Sequence, residues 1–525
     1  MKRIQHQLFF FATIVWFLSG CGAYRTSSIT ARDAASLPPQ ASSIAHGSPE
    51  QNTSPPPNEE PVTAGIVDAQ GAVAVEIIPQ YNRLQQNVKG ELSVLLKLDG
   101  KKVAAVDRQP IQLAIIIDRS GSMTGDKVAS VKIAALELLK RLTPEDRVTL
   151  ISYSDTVTVH STQLLMDEVG KTVIRDKILG IQAGGGTALG PATIEAEKIL
   201  TEQVNSYNGM SHILLLSDGL ANVGVSDPTL LGKVCSDGFA KGVSISTLGV
   251  GLDYNEDLMT KMADEGGGQY HYVRDDKLIA TVLEDELKGL MATVARDIQL
   301  RLLPAAGFAV QKVYGYSFHT EEGFTLIKVG SLRSGQNRDV LITLTHNELS
   351  VGQPHMGEVI VEFSDVLSGN SASSISFRPQ LHKAESQQEY IESENSEVTV
   401  RLAEVRSFEE LSLAAQAVDR GDFTQAETML SQSISELEVQ AQKTPDEKLT
   451  MQIKELRQAK SDLEMAKTSS VEKKHFVKKK KSSAYQQSKQ SKGRKSTFDK
   501  LPAKKKSRRG SKASTGKKTD NVFSY

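Results

Sequence analysis

Five oxygen-bearing side chains stand at places where their types and spacing could hold a metal ion. Asp118, Ser120 and Ser122 come from the segment Asp118-Arg119-Ser120-Gly121-Ser122, directly after the apolar run Leu113-Ala114-Ile115-Ile116-Ile117. Thr187 follows the triple glycine Gly184 to Gly186, and Asp218 follows Ile213-Leu214-Leu215-Leu216-Ser217. Short apolar runs read as buried strands, which places the carboxylates and hydroxyls at strand or loop tips. Hard oxygen donors of this kind suit Mg²⁺ or Mn²⁺, and Ca²⁺ less well. Magnesium takes six oxygens, and neutral hydroxyls supply little charge, so a water-filled position stays open to an acidic group from a partner. Gly121 lets the chain turn sharply between the two serines, and the Gly184 to Gly186 run lets backbone pass close to an ion.

Other chemistries fit these residues poorly. The stretch Gly184 to Gly190 lacks the Gly-Lys-Ser or Gly-Lys-Thr ending of a phosphate loop, and no dinucleotide fingerprint opens a helix after the first strand. No Gly-x-Ser-x-Gly elbow makes Ser120 or Ser122 a nucleophile. His212 and His271 have no His-x-x-His spacing and read as structural histidines. A binding protein is expected, not an enzyme.

The elements that must position the five donors alternate in period. Between 109 and 292, apolar strand runs alternate with helical stretches such as Val128, Val131, Ala135, Leu138, Leu139 and Leu142, and further helices are expected near Pro191 to Leu200, Pro228 to Ala240 and Glu256 to Ala263. That pattern predicts an α/β domain, a doubly wound, mainly parallel sheet covered on both faces, with ligands outside the carboxyl ends of the strands. Residues 66–108 and 293–382 carry short strand patterns, predicting a β-sandwich interrupted by the α/β domain. Residues 396–467 turn helical, predicting a helical hairpin or three-helix cap.

The donor set resembles the metal-ion-dependent adhesion site of the von Willebrand factor type A (VWA) domain, through Asp118-Arg119-Ser120-Gly121-Ser122, Gly186-Thr187 and Ser217-Asp218-Gly219 in that order. Glu145 to Val148, Thr247 to Gly251 and Gly266 to Gly268 also fit that family. The flanking strands and the helical stretch around Asp419-Arg420-Gly421-Asp422 are similar to bacterial members often compared with calcium-activated chloride channel regulators and inter-alpha-trypsin inhibitor heavy chains. The resemblance implies a Rossmann-like fold. It also implies that Ser120, Ser122 and Thr187 ligate the ion through hydroxyls, that Asp118 and Asp218 bind it directly or through water, and that a protein partner's Asp or Glu completes the shell.

The remainder of the chain bears on location. Lys2 and Arg3 precede an apolar run from Leu8 to Leu18, too short to span a bilayer at ~20 residues. Leu18-Ser19-Gly20-Cys21 resembles a bacterial lipoprotein signal, which implies removal of residues 1–20, acyl chains such as palmitate on Cys21 and a membrane anchor in the cell envelope. Gly22 carries no inner-membrane retention signal in that resemblance, which favours the outer membrane, on its periplasmic or surface face. Lipidation leaves Cys235 as the one remaining thiol, so no intramolecular disulfide is expected. Residues 21–65 are rich in Ser, Pro, Gln, Asn and Thr and read as a disordered tether spanning ~35 Å.

The chain of 525 residues has a formal net charge of −1, which conceals a separation. Residues 471–525 carry roughly 19 Lys and Arg against 3 acidic residues, and read as a disordered basic tail. An envelope address points such a tail to an anionic envelope polymer and makes nucleic acid an unfavoured partner. The alternative function is therefore a structural envelope lipoprotein that grips an anionic surface through its tail while the metal site stays idle.

Overall fold

The computed structural model describes residues 66–489 apart from 68–70, 104–108, 203–206, 208, 322 and 348–354. The leader, Cys21, the tether and the last part of the basic tail lie outside the described residues. Among the described residues, no helix is long and apolar enough to cross a membrane.

A six-stranded sheet forms the middle of the chain. Ile111–Asp118 runs through it with parallel neighbours on both sides, Met210–Ser217 and Arg147–Tyr153. Val243–Val250 and Gly267–Val273 extend one side in parallel, while Val157–Leu165 closes the other edge antiparallel. Every residue of Ile111–Asp118 and Met210–Ser217 is buried, as an interior strand with helices on both faces requires. Side chains of a strand alternate between faces. Leu113, Ile115 and Ile117 accordingly pack with Val131, Ile174, Ile178 and Ile279 from the helices Asp126–Leu139, Glu168–Gly180 and Ile279–Met291. Ala114 and Ile116 pack with Leu189, Leu231 and Leu258 from the helices Leu189–Thr201, Pro228–Ala240 and Glu256–Glu265. Asp118 and Ser217 end their strands side by side at the carboxyl edge, so the loops that leave there share one rim.

Strands from before and after this domain join in one sandwich. Gly90–Gly100 pairs antiparallel with Asn337–His346 over its whole length, from Asp99 opposite Asn337 to Gly90 opposite His346. Two five-stranded antiparallel sheets enclose a core that includes Leu96, Leu98, Leu300, Ile327 and Val361. The α/β domain is thus an insertion between strands of a single sandwich.

Four long helices follow, Ser396–Arg420, Phe423–Lys443, Glu447–Ala466 and Ser470–Ser488. The first turn between them is made by Gly421, left-handed at φ 87°, and by Asp422, whose side chain accepts from the Gln425 N–H. The last helix corrects the expected tail. Residues 470–488 are an ordered basic helix, and all six lysines from 474 to 489 are paired with the protein's own acids. Lys474 donates to Asp253 at 2.8 Å, Lys480 pairs with Asp462 at 2.8 Å, and Lys481 bridges Glu256 at 3.1 Å and Asp257 at 2.9 Å. Lys478 donates to the Tyr254 carbonyl at 2.8 Å and to Glu256 at 2.7 Å, its ammonium 3.8 Å from the Tyr254 ring centroid. Lys489 pairs with Asp264. Between the lysines, Phe476, Val477 and Ala484 are buried, and Tyr485 meets Tyr270 edge-on at 5.7 Å. This apolar stripe, with acids brought in from distant sequence, turns a charge run into a docked helix.

Candidate metal centre

The carboxyl edge of the sheet brings the five predicted donors to one place. Asp118 ends its strand with its side chain fully buried. One carboxylate oxygen accepts the Ser120 N–H at 2.8 Å, and the other accepts the Ser217 hydroxyl at 2.8 Å and the Tyr153 hydroxyl at 3.1 Å. Ser120 and Ser122 follow in the turn, their hydroxyl oxygens 3.0 Å apart. Ser122 donates to Asp218 Oδ1 at 2.6 Å, which ties the first loop to the end of the neighbouring strand.

The glycine loop delivers the third hydroxyl. Gly121 N–H donates to the Gly185 carbonyl at 2.9 Å, and Gly184 N–H donates to the Arg119 carbonyl at 2.7 Å, so two loops lock backbone to backbone. Gly184 and Gly185 hold φ of 155° and 89°, conformations that a side chain disfavours. Asp155 accepts the Gly186 N–H at 2.8 Å, and Asn222 accepts the Thr187 N–H at 2.8 Å, aiming the threonine.

Convergence is measured at Gly219. A methyl group there would lie 3.3 Å from Ser122 Oγ, 3.3 Å from Thr187 Oγ1 and 3.8 Å from Ser120 Oγ, so three hydroxyls surround a single spot that the glycine leaves open. The 3.0 Å between the serine oxygens also suits a small hard ion, since adjacent oxygens of an octahedron with ~2.1 Å bonds are separated by ~3.0 Å. Among the described residues, no group of three or more His, Cys, Asp or Glu could hold an ion. The donors here are two carboxylates and three hydroxyls, and they fit Mg²⁺ or Mn²⁺. A hydroxyl can ligate through a lone pair while its proton stays on a carboxylate, as Ser122 does toward Asp218.

The electrostatics agree with a cation-seeking site. Burial raises the Asp118 carboxyl above its ordinary range, the hydrogen bonds from Ser120 and Ser217 oppose this, and the nearby charge of Asp218 adds to it. Burial also pushes the Tyr153 hydroxyl well up, so it stays a neutral donor to Asp118. Lys127, on the first turn of the Asp126–Leu139 helix, pairs with Asp218 Oδ2.

Sequence reasoning missed Tyr153, Ser217, Lys127, Asn222 and Asp155, all of which hold the donors in place. Ser217 was legible as the neighbour of Asp218, and Tyr153 as the last residue of an apolar strand. His212 and His271 stand apart from the site. His212 is in register with Leu113, five residues short of Asp118 and so about 17 Å down the sheet. His271 is three strands away, about 14 Å. Both face the buried Glu286, at 3.9 Å and 3.4 Å, with Arg333 at 3.2 Å and the Ser246 hydroxyl at 2.7 Å on the same carboxylate. Burial lowers His212 to about 4 against the pull of Glu286.

The fold is the α/β VWA fold, and residues 112–285 match the von Willebrand factor type A domain. The wider chain is similar to an uncharacterized protein of Synechocystis sp., 26% identical over 340 residues that cover 62% of this chain and 77% of that protein. It is also similar to the uncharacterized protein YfbK of Escherichia coli, 28% identical over 303 residues, 54% of this chain and 50% of the other. Inter-alpha-trypsin inhibitor heavy chain H4 of Bos taurus is 31% identical over 251 residues, 46% of this chain and 26% of its own length. The chain thus spans half of the E. coli relative and about a quarter of the cattle one. Among solved structures, a von Willebrand factor type A protein from Catenulispora acidiphila shares the fold with a TM-score of 0.62 at 16% identity, covering 82% of this chain and 100% of that one. The ArnB paralog VWA2 from Sulfolobus acidocaldarius does so with a TM-score of 0.52 at 17% identity, covering 78% and 98%.

Proposed function

We propose that the VWA domain captures an acidic side chain of a protein partner through Mg²⁺ or Mn²⁺, in an adhesion or assembly role without catalysis. The observation that carries this reading is the convergence of Ser120, Ser122 and Thr187 on the space beneath Gly219, with Asp118 and Asp218 behind them. Those five residues would hold the ion, and the ion would supply the positive charge that a partner carboxylate completes. Neutral hydroxyls leave the bound ion electron-poor, which favours an incoming carboxylate over water. Around the site, Tyr153, Ser217 and Asn222 keep the donors in position, and none of them needs to move a proton.

Two measurements test the reading. Calorimetric titration of MgCl₂ and MnCl₂ into the protein should show one site, lost in Asp118→Ala. Panning a displayed random-peptide library on the protein should enrich Asp or Glu with Mg²⁺ and not with EDTA. Metal uptake that survives Asp118→Ala, or peptides selected equally in EDTA, would contradict it.

The same reading places the protein in the cell envelope, held by acyl chains on Cys21 and favouring the outer membrane, on the strength of Leu18-Ser19-Gly20-Cys21 after a short apolar run. Metabolic labelling with a palmitate analogue should mark the chain and fail in Cys21→Ser. Equal labelling of both would refute the anchor. The basic-surface alternative loses support from the helix at 470–488, because Lys474, Lys478, Lys480, Lys481 and Lys489 already hold internal carboxylates.

A further inference from the structure

Asp218 already has a cation. The Lys127 ammonium closes on Asp218 Oδ2, while Asp218 Oδ1 takes the Ser122 hydroxyl at 2.6 Å. The carboxylate is fully buried and the lysine side chain is one-third exposed, at 33%. An ion held by Ser120, Ser122 and Thr187 needs the negative charge of Asp218, because Asp118 is engaged by the Ser120 amide, Ser217 and Tyr153. A monovalent ammonium and a divalent ion would then share one carboxylate within a few ångströms, and like charges so placed repel strongly in a partly buried site.

A second place for the ammonium is close by. A methyl group on Gly251 would lie 3.7 Å from Lys127 Nζ and 3.8 Å from its Cε, so the end of the lysine side chain already lies beside the loop that follows the Val243–Val250 strand. That loop carries Asp253, an exposed carboxylate held by Lys474 at 2.8 Å. The Lys474 hydrogen bond lowers the Asp253 carboxyl most, burial opposes it, and the charge of Lys127 contributes further. The lysine therefore stands between two carboxylates, one buried in the metal site and one in solvent.

We propose that Lys127 is the counter-cation of the metal site, holding Asp218 in the ion-free protein and giving way toward Asp253 when a divalent ion arrives. Metal uptake is then an exchange of one cation for another, and Lys127 sets the affinity. The exchange also keeps the buried Asp218 paired when metal is scarce, so the loops stay assembled without an ion. This inference rests on the metal reading above and goes beyond it by assigning the residue that tunes the site.

The test is calorimetric titration of MgCl₂ into the full chain as wild type, Lys127→Met, Asp253→Asn and the double variant, each with its metal-free unfolding midpoint. Lys127→Met should bind Mg²⁺ at least tenfold tighter while its metal-free midpoint falls. Asp253→Asn should weaken Mg²⁺ binding when Lys127 is present and leave it unchanged in the Lys127→Met background. Should Lys127→Met fold poorly, weaker Mg²⁺ binding in Asp253→Asn alone supports the exchange and unchanged binding overturns it. Equal or weaker binding in Lys127→Met, or an Asp253→Asn effect that persists without Lys127, overturns the inference and leaves the metal reading standing. No Mg²⁺ uptake in any of the proteins overturns the metal reading and this inference with it.

Discussion

Gly219→Ala adds a single methyl group to the spot where the three hydroxyls converge. The methyl would stand 3.3 Å from Ser122 Oγ and Thr187 Oγ1, tighter than usual contact but open to relief by a shift of a few tenths of an ångström. Gly219 is not among the glycines with positive φ, so alanine meets no backbone strain there. The metal-free fold should therefore change by no more than about 1 kcal/mol, since a small packing cost is offset by reduced freedom of the unfolded chain. The ion is another matter, because the methyl occupies the space it needs. At a Mg²⁺ concentration of about 100 times Kd, binding stabilises the wild type by about 2.7 kcal/mol. For a domain of this size that is a rise in unfolding midpoint of roughly 5–10 °C. Differential scanning fluorimetry of both proteins, with 10 mM-scale Mg²⁺ and with EDTA, should show the rise in the wild type and none in Gly219→Ala. A full rise in the variant would refute the location of the ion. A metal-free midpoint that fell by 5–10 °C would refute the reasoning that Gly219 is kept for the ion and not for packing.

Three further outcomes follow from the same structure. Tyr153→Phe removes a buried hydroxyl that donates to Asp118 at 3.1 Å and contacts the Leu216 carbonyl at 3.3 Å, so urea unfolding should register a loss of about 1–3 kcal/mol. His212 is neutral in the fold with its value lowered to about 4, whereas the unfolded chain binds a proton near 6.5. Its stabilising contribution is full above about pH 6.5 and is lost as pH falls toward 4, a loss on the order of 3 kcal/mol that His212→Gln should remove from pH-dependent urea midpoints. Lys478→Met takes one cation from Glu256, which keeps Lys481, and removes the contact with the Tyr254 ring. The docked helix should open more readily by about 1–3 kcal/mol, seen as faster proteolysis within residues 470–488 while the sheet remains protected.

What was legible in the sequence depended on how local the cause was. Ile115 to Ile117 and Leu214 to Leu216 are buried on both faces, so an unbroken apolar run was enough to read them as interior strands. The edge strand Val157–Leu165 has no such run, because all of its residues are half-buried or exposed, and its period-two signal is lost at two register shifts against Arg147–Tyr153. The Glu168–Gly180 helix was equally hidden, with only Gly170, Ile174 and Ile178 buried among charges. At the site, the donors lie within short motifs, but their supports do not. Lys127 meets Asp218 across 91 residues and Tyr153 meets Asp118 across 35, pairings that only the parallel sheet brings about. The basic helix is the clearest case of a nonlocal cause. Its lysines look solvated until Asp253, Glu256, Asp257, Asp264 and Asp462 arrive from other elements.

The most direct test of the metal centre is anomalous diffraction from crystals of the protein grown with Mn²⁺. One strong anomalous peak is expected within ~2.2 Å of Ser120 Oγ, Ser122 Oγ and Thr187 Oγ1, beside Gly219, with the Lys127 ammonium moved off Asp218. A peak elsewhere, or no peak at those hydroxyls while Lys127 still holds Asp218, would contradict it.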